Sequence, residues 1–146
     1  MDYLTILIKT LQACITPVTM ISGVGLLLLT ITNRLGRSVD RIRFLVSELD
    51  HENVKRKSEK INEIKILYKR SRFLRNSIGW LVVSVISNCL IIPMIFVMNF
   101  KDMNLSLVVY GLFVIVIISL FISSIYFFRD ILIGLHAIKL EAKEFI

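Results

Sequence analysis

The chain has 146 residues, the size of one domain, and 55% of them are hydrophobic, with a mean hydropathy of +0.75; both values are too high for an ordinary soluble domain. The formal charge is +7, yet no Asp, Glu, Lys or Arg occurs between Lys9 and Arg34 (24 residues), between Arg75 and Lys101 (25) or between Asp102 and Arg129 (26). A helix rises about 1.5 Å per residue and the hydrocarbon core is roughly 30 Å thick, so each gap is long enough to cross it. The apolar runs are continuous, which argues against the short alternating strands of a barrel. The expected fold is an all-α membrane protein: three transmembrane helices, a cytoplasmic helical hairpin and a C-terminal amphipathic helix.

The first span covers about residues 10–33. Its apolar core is longer than that of a secretory signal peptide, and the basic residues follow it, so an uncleaved anchor with its N-terminus outside is expected. It is unusually polar. Gln12, Thr16, Thr19, Gly23, Thr30 and Asn33 fall on one helical stripe in which Leu26 is the only apolar member, with Ser22 beside it. Pro17 is expected to kink the helix, and Gly23-Val24-Gly25 to loosen it. Small and hydroxylated residues let helices approach closely and hydrogen-bond across the contact. The rival reading is a narrow polar pore lined by copies of this helix.

Residues 34–75 hold 13 of the 18 Lys and Arg residues and six acids, which accounts for the whole net charge. Short loops with such an excess stay in the cytoplasm. The N-terminus and the neutral 99–104 turn then lie outside, and the C-terminus inside. The segment also reads as a helical hairpin. Leu35, Val39, Ile42, Val46 and Leu49 make one stripe, so the first helix should continue to about Leu49. Asp50-His51-Glu52-Asn53 reads as the reversal and Ser58 as the cap of the returning helix, whose stripe is Ile61, Ile64, Leu67 or Tyr68, and Leu74. Asp40 stands three residues from both Arg37 and Arg43, so pairs along the helix are available. Arg34, Arg37, Arg41, Arg43, Lys69, Arg70, Arg72 and Arg75 should form a basic collar under the bilayer, suited to lipid phosphates. Topology and anionic headgroups explain these charges without a nucleic-acid partner.

The run from Pro17 through Ile21-Ser22-Gly23-Val24-Gly25 to Leu29, then Asn33-Arg34-Leu35-Gly36-Arg37 and Asp40-Arg41-Ile42-Arg43, with Arg70, Arg72 and Arg75, resembles a family of small bacterial membrane proteins with a domain of unknown function. The resemblance covers nearly the whole chain. It implies three membrane helices and a prokaryotic plasma (inner) membrane, and supplies no catalytic residue or substrate.

The second span, about 76–100, carries Ser77, Ser84 and Asn88 on one face, and Asn88 needs a partner at mid-membrane. The third, about 103–128, has Ser119 and Ser123 four apart, expected as the matching contact face. In the tail, 129–146, Ile131, Leu135, Ile138, Ala142 and Phe145 repeat the hairpin's spacing. Arg129, Lys139 and Lys143 are balanced there by Asp130, Glu141 and Glu144, so the tail lacks the basic face of a surface-lying helix. Such seams pack within one chain or join copies as a coiled coil.

No carboxylate, Lys, Arg or His lies inside the three gaps, which lowers the case for an ion-coupled transporter. Cys14 and Cys89 fall in different spans at different depths and read as structural thiols. His51 and His136 lack ligand-spaced partners, so no metal is expected. Gly23-x-Gly25 lacks the third glycine of a dinucleotide fingerprint, and no phosphate loop or nucleophile elbow occurs. The functional expectation is a non-enzymatic structural or regulatory membrane protein without cofactor, a homo-oligomer in contact with anionic lipid. The alternative is a small oligomeric channel.

Overall fold

The computed structural model describes residues 3–49, 54–101 and 105–143. They form three helices, α1 (Tyr3–Glu48), α2 (Val54–Lys101) and α3 (Ser106–Lys143), and no strand occurs among the described residues. All three are long and apolar enough to cross a membrane. This is an all-α, multi-pass membrane protein, as the charge-free gaps imply.

Each span runs on into its polar extension without a break. α1 continues to Glu48, one residue short of the expected end, and α2 joins the returning arm to the second span. Pro17 and Pro93 lie inside α1 and α2 and end neither helix. One boundary differs from expectation. α2 starts at Val54, so Ser58 sits inside its second turn and is not the cap. The reversal expected at Asp50–Asn53 lies outside the described residues. At the other connection the Leu105 carbonyl accepts from the amides of Val108 (3.0 Å) and Val109 (3.1 Å), which starts α3.

Buried residues recur every seven positions. In α1 they are Thr10, Pro17, Val24, Ile31, Ser38 and Leu45. In α2 two such series run together, Leu74, Leu81 and Asn88 beside Ser77, Ser84 and Ile91; in α3 the series is Val116, Ser123 and Asp130. A seven-residue repeat keeps one face turned to its neighbours when helices wind at 3.5 residues per turn.

The chain divides into two compact units. The apolar unit is Met1–Leu28 with Gly79–Ile122, and the basic unit is Leu29–Ile78 with Ser123–Ile146. The interior of the apolar unit mixes Val24, Leu81, Ile91 and Val116 with Thr10, Ser84, Ser87, Asn88 and Ser119. Its large apolar side chains, such as Leu26, Leu107 and Phe121, face outward. In lipid that is the favourable arrangement, because hydrocarbon solvates a leucine as well as a protein core does, whereas small residues bring backbones together.

In the basic unit two expected stripes are shifted. Leu45, not Val46, is buried on α1; Val46 is 51% exposed. Position 45 continues the seven-residue series from Ile31 and Ser38, and the half-buried Leu35, Ile42 and Leu49 flank it. On the tail, Asp130 and Gly134 are buried while Leu135 is exposed, for the same reason: the series continues from Ser123. Ile138 and Ala142 have undescribed side chains, and Phe145 lies outside the described residues. On the returning arm the alternative at 67 or 68 resolves to Leu67, since Tyr68 is 66% exposed.

Candidate functional site

The basic unit is organised around a carboxylate. Asp130 on α3 is fully buried. Its Oδ1 accepts a hydrogen bond from Arg70 Nε on α2 at 3.1 Å, and its Oδ2 lies 2.9 Å from Arg34 Nε on α1. The Arg34 contact is an ion pair whose N–H is not aligned on the oxygen, because Oδ2 makes no hydrogen bond of good geometry. One negative charge therefore faces two guanidiniums, one from each of the other helices. The excess positive charge is met by an aromatic face: Arg34 Cζ stands 5.7 Å from the centroid of Phe127, one turn before Asp130. A buried charge left unpaired is strongly unfavourable, so the triad holds all three helices to one register.

Three small residues pack close to the triad. A Cβ at Gly134 would come 3.1 Å from Arg70 Nη2 and 3.2 Å from its Cζ, so any side chain there would press on the guanidinium. Two turns before Asp130 on α3, and two turns after Arg70 on α2, Ser123 and Ser77 exchange hydrogen bonds. Each hydroxyl stands 2.9 Å from the other's carbonyl, with the two oxygens 2.7 Å apart. Two hydroxyl protons thus serve three oxygen contacts, which requires close backbones. Phe73 and Tyr126 stack beside them with centroids 6.4 Å apart.

The α1–α2 arm is joined by charge as well. Arg41 Nε meets Glu63 Oε1 at 3.1 Å, and Lys60 Nζ meets Glu48 Oε2 at 2.7 Å. Moving forward on α1 moves backward on α2, so the two are antiparallel here. The pairs are exposed or half-exposed, and such pairs contribute roughly 0–1 kcal/mol.

The expected collar is therefore divided. Arg34 and Arg70 turn inward onto Asp130, and Arg41 pairs with Glu63. Arg43, Arg72 and Arg75 line a cleft of about 320 Å³ between α1 and α2, together with Leu35, Val39, Ile42, Tyr68 and Ser71. Arg37 and Lys69 are exposed. Asp40 is exposed and makes no ion pair to Arg37 or Arg43 among the described residues. Sequence reading took Asp130 only as a charge balancing its neighbours. The missed signal was its distance of seven residues from Ser123, on the face expected to make helix contacts.

In the apolar unit Gln12, Thr16, Thr19 and Gly23 are exposed, as are Thr30 and Asn33 in the basic unit, so the polar stripe of α1 is not buried by its own chain. Thr19 Oγ1 donates to the Ile15 carbonyl at 2.8 Å, and Ser22 Oγ to that of Val18 at 3.2 Å. Ser77, Ser84 and Asn88 are buried on one face of α2, as are Ser119 and Ser123 on α3. The partner Asn88 needs is the Pro17 carbonyl, 3.0 Å from Nδ2; its Oδ1 and the Ser84 Oγ have none. Cys14 and Cys89 are free thiols. His51 lies outside the described residues, and the side chain of His136 is undescribed.

A family model described as "Protein of unknown function (DUF2721)" matches residues 14–140, and the chain belongs to that family. No curated protein matches the chain. No solved structure matches it.

Proposed function

We propose that this member of the DUF2721 family is a non-enzymatic structural or regulatory protein of the prokaryotic plasma membrane, working as a homo-oligomer whose copies meet along the polar stripe of α1. The supporting observation is that all six stripe residues stay exposed on the single chain, although small hydroxylated residues are what close helix contacts in lipid require. By residue spacing the stripe lies roughly 100–160° around α1 from the buried series. The excess of Lys and Arg in residues 34–75 supports a cytoplasmic hairpin and C-terminus, an external N-terminus, and contact of the arginine-rich face with anionic headgroups.

Gly23 provides the test. A side chain there meets nothing within 4 Å in the single chain, so Gly23→Leu leaves the protomer intact and obstructs only a second copy. The mass in lipid nanodiscs should correspond to several copies for the parent and fewer for Gly23→Leu. A monomeric parent would sink the proposal.

A second reading, a pore lined by the same stripe, draws on the exposure of Thr16 and Thr19. It requires single-channel conductance that changes in Thr16→Leu and Thr19→Leu. A silent bilayer, or conductance indifferent to both, removes it.

A further inference from the structure

We infer that the α1–α2 cleft of the basic unit binds the headgroup of one anionic glycerophospholipid; this deepens the reading of the arginine-rich face as headgroup-facing, and rests on it. The cleft has two chemistries. Leu35, Val39 and Ile42 give it an apolar floor, and Arg43, Arg72 and Arg75 line it as well. Three carboxylates of the unit are engaged elsewhere: Asp130 holds Arg34 and Arg70, Glu63 holds Arg41, and Glu48 holds Lys60, while the exposed Asp40 pairs with neither Arg37 nor Arg43. None of the three cleft arginines makes an ion pair among the described residues. Ser71 also lines the cleft, and its Oγ is buried without a hydrogen-bond partner. A phosphodiester supplies what these groups lack: acceptor oxygens for the forked guanidinium donors and for the hydroxyl.

The position selects a lipid. Leu35 and Arg75 adjoin the charge-free stretches that end at Asn33 and begin at Asn76, so one end of the cleft lies at the border of the spans. Arg43 lies about 12 Å further along α1, eight residues at 1.5 Å each. Tyr68, 66% exposed, also lines the cleft, with an amphipathic ring of the kind found at headgroup level. A bare phosphate has no use for the apolar floor, whereas a glycerol backbone and the start of its acyl chains do.

The experiment is native mass spectrometry of the whole chain released from nanodiscs of mixed phosphatidylglycerol and phosphatidylcholine. The parent should retain phosphatidylglycerol in preference to phosphatidylcholine. Arg43→Gln with Arg72→Gln should lower that retention by about tenfold or more, the scale of losing charged hydrogen bonds. Arg56→Gln with Lys57→Gln removes the same charge away from the cleft and should leave retention within a few-fold. Val39→Trp fills the floor without changing charge and should also abolish the preference, which covers the case in which the double variant does not fold. Equal losses from both double variants, or a Val39→Trp protein that still prefers phosphatidylglycerol, overturn the inference. So does displacement of the lipid by inorganic phosphate, which would mark a site for a soluble anion. The same spectra give the number of copies: a monomer that keeps its lipid removes the oligomer proposal alone, and an oligomer without lipid preference removes this one alone.

Discussion

In the apolar unit the helix contacts are neutral and sparse: Asn88 Nδ2 donates to the Pro17 carbonyl, and buried hydroxyls fill the remaining space. In the basic unit the contacts carry formal charge, with Asp130 between Arg34 and Arg70 and the Ser77–Ser123 exchange beside it. The difference follows from solvent. Inside hydrocarbon a charge is costly even when paired, so small dipoles and close packing hold the helices. Beyond the charge-free stretches ion pairs become affordable, and one buried carboxylate can fix three helices at once. Each unit leaves two buried atoms without a hydrogen bond, Asn88 Oδ1 and Ser84 Oγ in the apolar unit, Ser71 Oγ and Asp130 Oδ2 in the basic one, but Oδ2 has the Arg34 charge beside it. The basic unit does not leave its carboxylate uncompensated.

If this contrast holds, the largest effect of a single change belongs to the triad. Asp130→Asn leaves two partly buried guanidiniums without their counter-charge and should cost about 3–5 kcal/mol. The measurement is unfolding in mixed micelles by titration with dodecyl sulfate. A loss below about 1 kcal/mol, the level of an exposed pair, would show that water already screens the cluster.

A smaller effect is expected at Gly134, and its sign depends on background. Replacing a mid-helix glycine by alanine normally gains about 1 kcal/mol. Here the new methyl meets an Arg70 guanidinium held by Asp130, so Gly134→Ala should bring no gain in the parent. In an Arg70→Met background the ordinary gain of about 1 kcal/mol should return. The two titrations compared form a double-mutant cycle, and equal responses would mean the contact is slack.

The smallest effect is expected in the apolar unit. Asn88→Leu loses one interhelical hydrogen bond, on average about 0.6 kcal/mol in membrane proteins, and also removes an unpartnered Oδ1. The net change should stay within about that amount. A loss as large as that of Asp130→Asn would place the controlling contact in the apolar unit and reverse the comparison.

The three spans were legible because lipid imposes a coarse and absolute requirement: long runs without charge. The serine faces of α2 and α3 were legible too, since Ser77, Ser84, Asn88, Ser119 and Ser123 are the few polar side chains that a span must hide. The stripes outside the spans were harder to place. Leu45 and Val46 are equally apolar, and only the seven-residue series through Ile31 and Ser38 decides which turns inward. Asp130 was easily misread for a related reason. At the end of a span, beside Arg129, an aspartate has the composition of a solvated edge, and its burial depends on arginines distant in the chain. The α1 stripe was read correctly as polar, but no local pattern says whether such a face meets its own chain.

The seven-residue series also restricts how long the helices can be. Adding one residue to α1 between Ile31 and Ser38 would turn the rest of the arm by about 100°, carrying Ser38 and Leu45 together off the contact line they share with Ile31 in the basic unit. Removing a full seven would restore the facing but shorten the helix by about 10 Å, a third of the hydrocarbon thickness. Insertions and deletions should therefore gather between Leu49 and Val54, between Lys101 and Ser106, and beyond Lys143. Within the helices, divergence should proceed by exchange of residues at constant count.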